Sequence, residues 1–498
     1  MSARRLMVMG TGSNVGKSIL VTALCHIFAE EGLRVAPFKA VNIALNAAVT
    51  LDGREIGRAT YAQAEAAGIA ATSDMNPVLI KPQSDGTSQL VLDGRVFGPM
   101  DLRNWEALKP ECWKAIRAAF DRLAGEYELV VLEGTGGPAE INLQKGDIAN
   151  MKVAYYARAP VLLVGDIERG GVYASLLGTR MLLPPRDRKR VRGMVINKLY
   201  GEASLLGDGP RILEKKAFNT PVLGVIPYLR DIGVAAEDGS SLPAADERSS
   251  GPALDIAVIR LPSIANFDDF DALAAETGVR VRFVESLGEL GRPAAVILPG
   301  SKTTLADLGW LRERGLAGRI VEMARAGTPV VGICGGYQMM GRRIIDPEGV
   351  ETGIREAEGL GLLPVETVFE AGKRTEQARA RVAAGAGWLA ALRGSEVSGY
   401  EIHMGRSQAD DGQTALFEMA GDGRPDGLVS ADGRNWGTYL HGLFDHDGLR
   451  HGWLRSLGWR GEPRHFDRRA AYRRLGEHVR EHIDMKAVRE IIGEADDE

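Results

Sequence analysis

The stretch Leu6–Glu31, LMVMGTGSNVGKSILVTALCHIFAEE, begins as an apolar run, passes through a glycine-rich loop and continues as a helical segment from Ile19. A loop between a buried strand and a helix N-terminus aims several backbone N–H groups, and the positive end of the helix dipole, at one point, which suits phosphate. The loop Gly10–Ser18, GTGSNVGKS, carries Gly12, Gly16, Lys17 and Ser18. Lys17 is expected on the outer phosphates of a nucleotide, and the Ser18 hydroxyl on Mg²⁺. Five residues separate Gly10 from Gly16, where the strict pattern has four. The glycine-lysine-serine end and the strand–loop–helix context are nevertheless intact.

Working outward, the apolar runs Val35–Phe38, Leu129–Leu132, Val161–Val164 and Met194–Ile196 alternate with amphipathic segments as far as Tyr228. Most are continuous rather than alternating, as expected of parallel strands covered on both faces. A second alternating region contains Ile256–Ile259, Ala294–Leu298 and Val330–Ile333, with a helix over Gly315–Ala326. Between the two regions Glu237–Pro252, EDGSSLPAADERSSGP, has the composition of a linker. Beyond Asp467, Tyr472, Leu475, Val479 and Ile483 recur at helical spacing. The expected organisation is α/β with two parallel-sheet domains: a nucleotide-binding domain over 1–236, a linker over 237–252, a second domain over 253–450 and a helical tail over 451–498. A chain of 498 residues accommodates this at roughly 150 residues per domain.

Acidic and basic residues at predicted strand ends extend the phosphate site. Glu133 follows Leu129–Leu132 directly, and a carboxylate at the C-terminal end of a parallel strand opens onto the ligand crevice, where it would hold the metal. Lys39, after Val35–Phe38, would neutralise a transferring phosphoryl group. Asn197, after Met194–Ile196, is a candidate for reading an adenine edge, and Asp52 and Glu55 are candidates for further metal ligands.

A second chemistry lies in Val330–Gln338, VVGICGGYQ. Cys334 stands between a strand and small residues that permit a sharp turn, the nucleophile elbow, in which following backbone N–H groups help to hold an oxyanion. Gly335 supplies one such donor, and Gly300, in the Pro299-Gly300-Ser301 turn, a second. A thiolate needs a base, and imidazole suits that task near neutrality. His441, at the end of the apolar run Trp436–Leu440, is the first candidate and His403 the second. Two residues beyond His441, where a glutaminase triad would place an acid, stands Leu443. A carboxylate from elsewhere, such as Glu401, or none, must then orient His441.

Composition narrows the partners. Hydrophobic residues at 45 % and charged residues at 26 % are near globular averages, which excludes wholesale disorder. A net charge of −5 gives no overall field for nucleic acid or anionic membranes. The three cysteines, Cys25, Cys112 and Cys334, are far apart, so neither a disulfide framework nor a thiolate metal site is expected, and a reducing cytoplasm is the default address. No apolar stretch approaches the roughly 20 residues that cross a bilayer. The 62 glycines exceed the roughly 7 % of average usage and imply many tight turns. Oligomeric state is not encoded in any of these features.

Taken together, GTGSNVGKS, PFKAVNIALN, NPVLIKPQSDGTSQ, EGTGGPAEINL, DIERGGVYASLLGT, GICGGYQMM, GYEIHMGRS and GTYLHGLFD resemble, in order and over nearly the whole chain, the cobyric acid synthase family of glutamine-dependent corrin amidases. The resemblance implies a P-loop NTPase domain of the dethiobiotin synthetase type and a class I glutamine amidotransferase (flavodoxin-like) domain of the subgroup with a Cys–His pair and no adjacent Glu, in keeping with Leu443. It implies ATP, Mg²⁺, glutamine and adenosylcobyrinic acid a,c-diamide as cofactor and substrates, with amidation at side chains b, d, e and g through an acyl phosphate. Family members commonly have Gln where this chain has Val41. The alternatives are cobyrinic acid a,c-diamide synthase, which shares both domain types, a P-loop partitioning-type ATPase, which would leave the Cys334 elbow unexplained, and a glutaminase subunit acting on lipid-linked precursors.

Overall fold

The structure, a computed structural model, describes residues 3–229 and 253–494 apart from 84, 85, 102 and 352. The expected linker over 237–252 lies outside the described residues.

The first sheet is built from six strands in the order Val222–Pro227, Val191–Leu199, Val161–Asp166, Arg4–Gly10, Leu129–Glu133 and Val35–Lys39, every neighbouring pair parallel. Each expected strand is present, lengthened by one to several residues. Apolar side chains fill both faces: Met7, Met9, Val130 and Leu132 on one side, Leu6, Val8, Val131 and Leu162 on the other. That two-faced burial is why the runs are continuous rather than alternating. Register sets Val8 and Lys39 each opposite Glu133, so the glycine loop, Glu133 and Lys39 converge at the C-terminal edge of three adjacent strands.

Two small sheets are inserted after Lys39. One has four strands, Val41–Ile43, Val78–Pro82, Ser88–Leu92 and Arg95–Met100; the other is the hairpin of Ala47–Val49 and Glu55–Gly57. The helix Arg58–Ala66 follows the hairpin and returns toward the nucleotide loop.

The second domain has an eleven-stranded sheet. Its parallel half runs Val279–Val284, Leu254–Ile259, Ala295–Leu298, Val330–Ile333 and Trp436–Thr438. Past Trp436–Thr438 the pairing becomes largely antiparallel and includes a long ribbon formed by Val365–Val382 and Glu396–Ala409. The ribbon reaches across to the first domain, where Ile402 packs with Ala44, Ala47, Val49, Leu79 and Val91.

The helix Asp447–Ser456 runs across residue 450 and buries Leu449, Trp453 and Leu454 in the second core. The last two helices, Arg468–His482 and Met485–Glu494, return to the first domain, where Leu475, Val479, Ile483, Val488 and Ile492 pack with Leu6, Val8, Leu20 and Leu24. Among the described residues no helix is long and apolar enough to cross a membrane.

Candidate active sites

The glycine loop delivers its chain into the helix Lys17–Glu30 through Gly16, which sits at φ 95°, a left-handed conformation that favours glycine. A Cβ on Gly16 would also overlap the Asn197 amide. The strand Val191–Leu199 clamps the loop: Asn197 Nδ2 donates to the Val15 carbonyl at 2.9 Å and Lys198 Nζ to the Asn14 carbonyl at 2.6 Å. One N–H of the Asn197 amide is thus engaged by the loop backbone, which leaves its second N–H and its Oδ1 for other partners. Nothing lies within 4 Å of where a Gly12 Cβ would be. Lys17 folds back so that its Nζ donates to the Gly12 carbonyl at 2.7 Å.

Ser18 and Glu133 meet as their sequence positions suggest. Ser18 Oγ donates to Glu133 Oε1 at 2.7 Å, Lys39 Nζ to the same oxygen at 2.8 Å, and Gln63 Nε2 to Oε2 at 2.6 Å. Glu133 and Lys39 are each 1 % exposed. A hydroxyl and a carboxylate side by side at the phosphate loop form a hard-oxygen donor set that fits Mg²⁺, which takes few protein ligands and completes its shell with phosphate and water. Asp52 and Glu55 do not join it. Asp52 pairs with Arg54 at 3.0 Å, and Glu55 is held at the domain junction by Lys81 at 2.7 Å and by Lys373.

In the second domain Cys334 stands at φ 50°, ψ −108°, between the strand Val330–Ile333 and the helix Gly335–Met340. The helix packs so closely under the sheet that a Cβ on Gly336 would overlap the Leu298 carbonyl oxygen. The glycines beside Cys334 are thus demanded by contact as well as by turn geometry. Cys334, Gly300, Ser301, Lys302, Gln338, Glu351, His403 and His441 line one small cavity of about 50 Å³. A Cβ on Gly300 would sit 3.4 Å from His441 Cε1, and one on Gly335 would sit 2.8 Å from the Ser301 nitrogen, so Gly300 lines the cavity beside His441 while Gly335 packs against the Ser301 turn. Ser301 Oγ donates to Asp307 at 2.7 Å, which fixes this turn.

His441 Nδ1 lies 2.7 Å from Asp269 Oδ2, and the Gly442 N–H donates to Asp269 Oδ1 at 2.8 Å. Glu401, the expected orienting acid, serves another histidine: its oxygens meet Arg424 at 2.6 Å and His403 Nε2 at 3.6 Å. The correction has a simple cause, because Glu401 and His403 sit two apart on one strand and face each other, whereas His441 emerges from a different strand toward the turn that carries Asp269. Burial alone would push the His441 pKa down; the Asp269 carboxylate and the Cys334 thiol outweigh it and raise the imidazole to about 10. Tyr400 stacks on the His441 ring at 5.1 Å, and His441 Nε2 is buried without a hydrogen-bond partner, directed at the cavity that holds the thiol.

A P-loop domain and an elbow cysteine facing a buried histidine, joined in one chain, define a glutamine-dependent amidotransferase of the ligase type. Residues 6–242 match the model of the CobQ/CobB/MinD/ParA nucleotide binding domain, and residues 255–449 that of the CobB/CobQ-like glutamine amidotransferase domain. Cobyric acid synthase of Dehalococcoides mccartyi is 48 % identical over 99 % of this chain and 99 % of its own. Those of Moorella thermoacetica and Chloroflexus aurantiacus are each 49 % identical, covering 90 % and 96 % of this chain and 88 % and 97 % of their own. The chain belongs to the cobyric acid synthase family.

Proposed function

We propose that the chain amidates side chains b, d, e and g of adenosylcobyrinic acid a,c-diamide, using ATP to activate each carboxylate and glutamine as the nitrogen source, in the cytoplasm. The observation that carries this reading is the pairing within one chain of the Ser18–Glu133 cluster at a phosphate loop with Cys334 and His441 on one cavity.

A carboxylate at neutral pH is a poor electrophile, so phosphorylation by ATP gives it a leaving group. Loop N–H groups around Gly12 and Gly16, with Lys17, hold the phosphates, and Lys39 faces the charge that develops during transfer. Mg²⁺, held by Ser18 and Glu133, supplies charge neutralisation at the transferring group when bound. In the other domain the Cys334 thiolate attacks the glutamine side-chain amide; His441, already protonated beside Asp269, delivers its proton to the departing nitrogen, releasing ammonia and leaving a thioester whose hydrolysis by water returns the proton to His441. Gly300 and Gly335 bracket the oxyanion, while Glu351 and Lys302 offer opposite charges on the cavity wall to the amino and carboxylate groups of free glutamine.

The test is incubation with adenosylcobyrinic a,c-diamide, ATP, Mg²⁺ and glutamine, following corrinoid mass. Successive conversion of the remaining carboxyls to amides is expected; a product amidated elsewhere, or none, overturns the reading. Cys334→Ala abolishes glutamine-dependent turnover and spares turnover on external ammonia. Lys17→Ala abolishes both, and amidation with ammonia persisting in that variant would contradict the assignment of the loop.

A further inference from the structure

The acid that orients His441 sits on a turn that the nucleotide-binding domain grips at two points just ahead of it, Asn266 and Asp268. At its start, the Asn266 N–H donates to Asn46 Oδ1 at 2.6 Å and the Ala47 N–H returns a bond to Asn266 Oδ1 at 3.2 Å. Asn266 is itself left-handed, at φ 54°, a conformation that asparagine tolerates better than most side chains. Two residues on, Asp268 Oδ2 receives Arg58 Nε at 2.6 Å, with the two side chains only 4 % and 6 % exposed. Asp269, next in the chain, binds His441 and Gly442.

Arg58 opens the helix Arg58–Ala66, and Gln63 of the same helix binds Glu133 at the phosphate site. One helix of the first domain therefore touches the metal-binding carboxylate with one side chain and, with another, the residue adjoining the acid of the cysteine site. Asn266 Nδ2 also reaches the Tyr400 hydroxyl at 3.3 Å, and the Tyr400 ring covers His441.

We propose that Arg58 is a positioning residue for glutamine hydrolysis: by holding Asp268 it sets the turn, and with it Asp269, against His441. The inference rests on the assignment of Cys334 and His441 as the glutamine-hydrolysing pair. Its consequence is that the cysteine site is complete only while the first domain is docked, so the state of the Glu133 cluster reaches His441 through a single helix.

The experiment uses the full-length protein carrying Arg58→Gln, Arg58→Lys or Asp268→Asn, with glutamine hydrolysis and ammonia-supported amidation measured side by side. A misplacement of the order of 1 Å costs about 10²-fold in rate. Arg58→Gln and Asp268→Asn are expected to lower kcat for glutamine hydrolysis about 10- to 100-fold while KM for glutamine changes little, with Arg58→Lys intermediate. The pH dependence of Cys334 alkylation by iodoacetamide should shift in both strong variants, and ammonia-supported turnover should stay within about twofold of the parent. Glutamine hydrolysis and alkylation profiles like the parent's in both variants overturn the proposal, as does an equal loss with glutamine and ammonia in both. Cys334→Ala is the companion control: glutamine hydrolysis surviving there sinks the underlying assignment, whereas its loss there beside unaffected Arg58 and Asp268 variants sinks only the role of Arg58.

Discussion

His441 draws its basicity from a carboxylate 172 positions away in the sequence, and this explains why the cysteine and histidine were legible and the acid was not. Cys334 announces itself through adjacent glycines and His441 through its place after an apolar run; both are local signals. Asp269 sits in NFDDFD, a turn that reads as surface charge, and only the tertiary fold buries it. The hydrogen bond also fixes the sign of a pH effect. With its pKa raised to about 10, His441 keeps its proton through the neutral range, so the pair stabilises the fold fully below the unfolded value of about 6.5 and loses that contribution as pH rises through about 10. Asp269→Asn is expected to reduce glutamine-dependent kcat by about 10²–10⁴-fold, leave ammonia-dependent turnover intact, and draw the alkaline limb of the glutamine-dependent profile down toward neutrality. A pH–rate series with each nitrogen source checks all three.

The elbow and the phosphate loop were readable as elements because each is a strand, a tight turn and a helix written in consecutive residues. The helix Gly335–Met340 tolerates no side chain at Gly336, where the Leu298 carbonyl oxygen intervenes. Gly336→Ala should therefore cost about 1–3 kcal/mol or more, as overpacking does, seen as a lower denaturation midpoint with an unchanged m-value. The ribbon Val365–Val382 and Glu396–Ala409 was not foreseen. Its sequence, VETVFEAGKRTEQARARV in the first strand, is dense in charge because much of the ribbon faces solvent, and the few apolar positions that pack give little periodicity. The small sheets after Lys39 escaped notice for a different reason: strands of three to six residues leave no period to detect.

Between the domains, Glu55 lies buried with Lys81 and Lys373 on either side, one from each domain. Burial would raise its pKa, but Lys373 and Lys81 outweigh burial and hold it at about 2. A carboxylate lowered in this way stabilises the folded form above its unfolded value of about 4.5 and loses that contribution as pH falls toward 2. Its loss amounts to about 3 kcal/mol. Glu55→Gln leaves two lysines facing each other and is expected to destabilise the protein by about 3–5 kcal/mol, with thermal unfolding of the variant losing the acid dependence of the parent between pH 4.5 and 2. The division into two α/β domains was legible because each carries its own run of buried strands; their mode of docking was not, since Asn46, Glu55 and Arg58 are polar residues in short elements whose partners lie hundreds of positions downstream.

The return of the last two helices to the first sheet has a consequence for biosynthesis. Val488 and Ile492 complete an apolar face begun by Leu6 and Val8, so a ribosome that has released the opening half of the polypeptide has not yet delivered the residues that seal it. That half must wait, with its hydrophobic flank uncovered, until the helices Arg468–His482 and Met485–Glu494 have been translated, and a gene split between the two halves would leave the first product with a sticky surface unless those helices were supplied alongside it.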